Sequence, residues 1–131
     1  MRHLITDYLG VHAQAMPLRE QRMKLIASNL TNVDTPGYQA QDLDFDAALR
    51  AAQGKPDSGL MTTRDAQHHS LSLGMNRFVV TRDALQPSLD GNTVDADAER
   101  AAYGRAALEY RASLSFVESK VRSMLTAITG Q

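Results

Sequence analysis

The sequence predicts a mainly α-helical chain whose two long terminal helices pair like a coiled coil, with a short helix and an irregular or hairpin-containing segment between them. Three observations point there. Apolar residues recur at alternating spacings of four and three over both ends of the 131-residue chain, which is the period of a helix seam and not of a strand. A Thr35-Pro36-Gly37 step cuts the first of these patterns off. Of all residues 43% are hydrophobic but only 5% aromatic, with no Trp, a mix that suits helices packed through small side chains better than a sheet sandwich.

In the N-terminal unit, residues 1–34, the seam runs through Ile5, Leu9, His12, Met16, Arg19, Met23, Ile26, Leu30 and Val33, with two polar residues set into it. The spacing predicts a helix from about residue 4 to residue 33. Pro17 lacks an N–H and its ring presses on the preceding turn, so a kink or break is expected between residues 13 and 17. The stop is better defined. Thr35 precedes a proline and is steered away from the α region, while Pro36-Gly37 supplies the fixed φ and the positive φ of a type II turn. Asn29, Asn32 and Asp34 suit a chain leaving a helix, since they bond the last turn's backbone or tolerate left-handed geometry.

Residues 35–94 form the second unit. Asp42-Leu43-Asp44-Phe45-Asp46 leads into an Ala-rich stretch ending at Gly54, which reads as a short helix started by Asp44 or Asp46 and capped by Gly54. The alternating aspartates do not make a calcium loop, because Ala47 stands where Gly is needed and Gln53 where Glu is needed. From 54 to 94 the signs are irregular: Gly54, Pro56, Gly59, His68-His69, Gly74, Pro87 and Asp90-Gly91. Only Phe78-Val79-Val80-Thr81 has strand composition, so a loop region with at most a hairpin is expected.

The third unit, residues 95–131, opens with Asp95, Asp97 and Glu99 in a first helical turn. Tyr103, Ala107, Tyr110, Leu114, Val117, Val121, Met124 and Ile128 then keep the four-three spacing until Gly130. Such a helix is roughly 50 Å long and is the natural partner of the first. Leu108 and Phe116 project away from that seam, with Ala101, Ala102 and Ala112 beside them, so a second apolar face is left for the middle segment or for other subunits.

Several function classes are disfavoured. A net charge of -1, from 14 basic and 15 acidic residues, offers no electrostatic footprint for nucleic acid or an anionic membrane. Without Cys there is no disulfide framework, thiolate nucleophile or Cys-based zinc site. The adjacent His68 and His69 point oppositely in extended chain, and no metalloprotease, nucleophile-elbow, phosphate-loop or dinucleotide pattern occurs. No catalytic residue, cofactor, metal ligand or small-molecule substrate is therefore expected. No apolar run reaches membrane-span length and the first twenty residues lack a secretory core, which on residues alone reads as cytosolic. A soluble helical adaptor, binding one partner through its apolar stripe, is the other reading these residues allow.

The string Asn29-Leu30-Thr31-Asn32-Val33-Asp34-Thr35-Pro36-Gly37-Tyr38 resembles the N-terminal signature of the flagellar axial proteins, the rod and hook subunits. Asn29, Leu30, Asn32, Thr35, Pro36, Gly37 and Tyr38 match it, and Thr31 stands for the usual Ala. The stretch Gln86 to Asp95, with Asp97, Glu99, Leu108, Tyr110, Leu114 and Met124, is similar to the corresponding part of proximal rod subunits, as are Ala27-Ser28-Asn29 and Asp42-Leu43-Asp44-Phe45. The likeness covers about residues 20–50 and 86–130, and Pro17 departs from the family's usual helix. It implies a structural subunit of the periplasmic rod, the drive shaft that transmits torque for motility, exported by a type III apparatus without a cleaved signal peptide. The implied partners are other copies of the chain, other rod proteins, the adaptor protein and membrane ring at the rod base, and the export gate. The implied assembly interface is Met23, Ile26, Leu30, Val33, Tyr110, Leu114, Val117, Val121, Met124 and Ile128. Phe45-Asp46-Ala47-Ala48-Leu49 resembles the family's export-gate element, although Phe45 and Leu49 lie on one helix face and would equally anchor the short helix to the core.

Overall fold

A computed structural model describes residues 2–54, 76–84 and 88–130, with side chains from Tyr8 onward. Pro56, Gly59, His68, His69, Gly74, Gln86 and Pro87 lie outside the described residues. Two long helices, α1 (Arg2–Thr31) and α3 (Ala96–Thr129), pack side by side. Between them come strand β1 (Gln41–Leu43), helix α2 (Phe45–Ala52) and strand β2 (Val79–Thr81). The expected fold class is the one observed.

The break in α1 is not where proline suggested. Pro17 sits inside the helix, and the one residue with non-helical backbone is Gly10, at φ 69° and ψ -163°. A proline removes one N–H and crowds one carbonyl, which the helix absorbs here. A positive φ instead requires a residue without Cβ, so the chain breaks seven residues earlier, at glycine.

The caps follow the sequence closely. The Asp44 carboxylate accepts from the Ala47 N–H at 3.1 Å, and Gly54 takes φ 67° just past α2. Asp95 accepts from the amides of Asp97 and Ala98 at 3.0 and 3.1 Å, and Gly130 ends α3 at φ 71°. Strand β1, which composition did not flag, pairs antiparallel with β2 in the register Gln41 to Thr81 and Leu43 to Val79.

Residue pairs fix the helix register as antiparallel. Lys120 lies over the Tyr8 ring, His12 stacks on Phe116 at 4.4 Å, and Arg19 bonds Glu109 at 2.6 Å. The buried line on α3 is Glu99, Ala106 and Ser113, one position away from the Ala107 and Leu114 of the apolar seam. Small side chains let the backbones approach, and on α1 Ile26 and Ala15 are buried as well. On its other flank α1 carries Leu18 and Leu25, which join Leu43 and Ala48 in a core covered by Phe45, Leu49, Phe78 and Val79.

Candidate assembly site

Two segments far apart in sequence, 29–42 and 82–99, meet in one polar clamp. Its centre is Asn29, in the last turn of α1 and fully buried at 0% exposure. The ladder between β1 and β2 uses Ala40, whose carbonyl accepts from Arg82 N–H at 2.7 Å, and Asp44, whose N–H donates to the Phe78 carbonyl at 2.8 Å. Alternation along an antiparallel pair then turns the N–H and C=O of Gln41 away from β2. Asn29 satisfies both: its Oδ1 accepts from Gln41 N–H at 2.9 Å, and its Nδ2 donates to the Gln41 carbonyl at 2.8 Å. One side-chain amide thus closes the free edge of β1 against α1.

The same Nδ2 reaches Glu99 Oε2 at 3.2 Å. Glu99 is 1% exposed, and a buried carboxylate needs a partner to offset its desolvation. Arg82 supplies it at 2.6 Å and also bonds Asp42 at 3.2 Å. Arg22 completes the chain of charges, its Nε donating to Asp42 at 3.1 Å. Helix α1, both strands and the start of α3 are thereby tied together by alternating charges.

A second clip lies just beyond. The Asn92 side-chain amide faces the carbonyls of Asn32, Val33 and Thr35 at 3.0, 2.9 and 2.8 Å, so its two hydrogens are shared among three acceptors. These carbonyls follow the end of α1, and those of Asn32 and Thr35 also accept from the N–H groups of Thr35 and Tyr38, so Asn92 pins the exit of the helix from the other segment. The Thr35–Tyr38 turn is closed by the Tyr38 N–H to the Thr35 carbonyl at 3.3 Å, with Gly37 at φ 71° as a type II turn needs. Gly37 N–H donates to the Asp90 carbonyl at 2.8 Å, and Thr93 N–H to the Tyr38 carbonyl at 3.0 Å. The backbone N–H of Asn92, then the Ser88 hydroxyl, hold the Asp90 carboxyl below its ordinary range.

Among the residues singled out from the sequence, Asn29 and Tyr38 belong to the clamp, the Tyr38 hydroxyl donating to Asn29 Oδ1 at 3.4 Å. Asn32 bonds the Ser28 carbonyl at 2.8 Å and accepts from the Thr35 hydroxyl at 3.1 Å. Pro36 and Gly37 are exposed at the turn. The expected assembly residues divide. Ile26 is fully buried within the subunit, while Leu30, Val33, Val117 and Met124 are half-buried. Leu114, Val121 and Ile128 stay exposed at 37%, 41% and 75%. Met23 and Tyr110 line a shallow groove between the two helices with Ala27 and Tyr103, rimmed by Glu20 and Lys24. Phe45 and Leu49 pack on the core, and the Arg19 guanidinium lies 4.9 Å over the Phe45 ring.

The sequence reading did not single out Arg22 or Arg82, quoted Asp42 and Asn92 only within stretches that carry the resemblance, and gave Glu99 no role beyond first-turn charge and that resemblance. The available signal was Glu99, Ala106 and Ser113 at steps of seven, a buried line carrying one acid. Among the described residues no group of three or more His, Asp or Glu is placed to hold a metal ion. The arrangement ties α1, both strands and the start of α3 together.

Comparison with known proteins gives this arrangement a family. A sequence profile described as "Flagella basal body rod protein" matches residues 9–39, the α1 side of the clamp. The flagellar basal body rod protein FlgB of Aeromonas hydrophila is 40% identical over 123 residues, covering 93% of this chain and 92% of that protein. The chain belongs to the FlgB family. The FlgB proteins of Salmonella typhimurium and Escherichia coli are 37% and 35% identical, over 93% and 92% of this chain and 93% and 91% of their own lengths. Similarity at this coverage takes in both segments of the clamp and both long helices.

Proposed function

We propose that this chain is a structural subunit of the proximal rod of the flagellar basal body. It assembles through its terminal helices into the torque-transmitting shaft. The observation that carries this reading is the likeness to FlgB proteins along more than nine-tenths of the chain. The exposed stripe of Leu114, Val121 and Ile128 supports it, because apolar side chains left in water on a helix flank are free for another subunit. The soluble adaptor reading has no comparable support.

In this account other copies and other rod proteins bind that stripe and the adjoining groove, while the adaptor protein and membrane ring meet the subunit at the rod base. The periplasmic destination is reached through the export gate, without a cleaved signal. Phe45 and Leu49 are the export-gate element. Since both pack in the folded core, the gate reads them on a chain that has not yet closed. Phe45→Ala then lowers secretion while the cytosolic level stays normal, and undiminished secretion removes this role.

Leu114→Asp tests the assembly itself. The side chain is 37% exposed on the stripe, so the isolated subunit keeps its helical spectrum while cells carrying only this variant lose motility. Motile cells with intact rods would count against assembly through this face.

A further inference from the structure

Arg19, on α1, touches both of the other helices. Its Nη1 donates to Glu109 Oε2 of α3 at 2.6 Å, and its guanidinium lies 4.9 Å over the ring of Phe45, the first residue of α2. Its Nε is buried and bonds no described residue, so the bond to Glu109 is the charge-assisted contact that holds the group on the ring. The nearby charges are engaged elsewhere: Arg22 bonds Asp42, and Asp44 accepts from the Ala47 N–H. These side chains, with Leu43 and Asp46, line a cleft that is open to solvent beside Phe45. A guanidinium that leaves the ring therefore passes into water.

Helix α2 depends on such support. It has 8 residues, and an isolated helix shorter than about 12 is marginal in water. Ala48 is its one buried residue, while Phe45 and Leu49 are partly buried against the core.

We infer that Arg19 is a latch: docking of α3 fixes the guanidinium on Phe45 through Glu109, and so makes the seating of α2 conditional on closure of the helix pair. A half-exposed ion pair and a cation over a ring are each weak alone. Here they share one cation, and contacts that share a group are coupled. The functional meaning rests on the reading of Phe45 and Leu49 as the export-gate element and adds its regulation: that face is presented before α3 docks and is withdrawn afterwards.

Hydrogen exchange on the purified subunit tests the latch. Glu109→Gln keeps the size of the side chain and removes its charge. Exchange at the Leu49, Ala51 and Ala52 amides of α2 is expected to rise at least fivefold, while the Ala106 and Ser113 amides of α3 stay within twofold. Arg19→Gln gives the same rise in α2, and Glu109→Gln added to it contributes less than twofold. Unchanged α2 exchange in Glu109→Gln, or an equal rise along α2 and α3, overturns the latch. Secretion tests its regulatory role separately. Glu109→Gln is expected to be secreted at least twofold faster at equal cytosolic level, and to lose that gain when combined with Phe45→Ala. A loosened α2 with unchanged secretion overturns the regulation, whereas the export-gate reading itself is decided by Phe45→Ala alone.

Discussion

Asn29→Ala removes one small side chain and leaves the edge of β1 without partners. Four hydrogen bonds end on that amide, but Glu99 keeps Arg82 and the Tyr38 hydroxyl keeps Ser28 at 3.3 Å. The N–H and C=O of Gln41 are the groups left unpaired, in a site where Asn29 is 0% exposed. At about 1–3 kcal/mol for each of these two stranded groups the loss is about 2–6 kcal/mol. That is a large share of the about 5–15 kcal/mol that holds a domain of this size together. With about 3–5 °C per kcal/mol for this chain length, Tm falls by about 6–30 °C. Circular dichroism of the purified subunit, melted and titrated with urea, reads both quantities. Asn29→Asp sharpens the test, because it keeps an acceptor for Gln41 N–H yet sets a carboxylate beside Glu99, which its Nδ2 approaches to 3.2 Å. It is at least as destabilising as the alanine change. A shift under about 2 °C for Asn29→Ala, with an unchanged urea slope, would refute the clamp as an energetic unit.

Two further outcomes follow from the second clip. Asn92→Ala takes the side-chain donors away from the carbonyls of Asn32, Val33 and Thr35 and costs about 1–2 kcal/mol, and hydrogen exchange at the Gly37 amide, bonded to Asp90, accelerates; unchanged exchange contradicts the clip. The Asp90 carboxyl, lowered in the fold from its ordinary 3.8, contributes stability that is complete above the unfolded value and disappears as pH falls through the folded one, so the window lies below about pH 4. An NMR titration of Asp90 should place its midpoint below 3.8, and a midpoint at or above that value contradicts the Asn92 and Ser88 contacts.

Local chemistry was readable where one residue decides the geometry. Asp44 and Asp95 start their helices, Gly54 and Gly130 end them, and Pro36-Gly37 makes the turn, because capping and positive φ are properties of single positions. Contacts between elements were less legible. The four-three apolar pattern marked the helices correctly but not the face by which they meet, since hydropathy favours Leu, Val and Tyr while close approach favours Ala106 and Ser113. The apolar seam therefore lies beside the contact, and part of it faces solvent. Strand β1 was hidden because Gln41 and Asp42 are poor strand formers, held there by Asn29, Arg22 and Arg82. The Gly10 break was masked by the more conspicuous proline. The resemblance found Asn29, Asn32 and Tyr38 without explaining them. Asn29 is explained by the edge of β1 and by Glu99, Asn32 by its bonds to Ser28 and Thr35, and Tyr38 by its hydroxyl on Ser28 and Asn29; the contact with Glu99, seventy residues on, is the part no reading along the chain reveals.

The central claim is that this chain is built into the rod. Mass spectrometry of purified hook-basal bodies from the source organism, stripped of loosely attached protein, tests it most directly. The account predicts stoichiometric recovery of the chain, and its absence from otherwise intact particles would contradict the account.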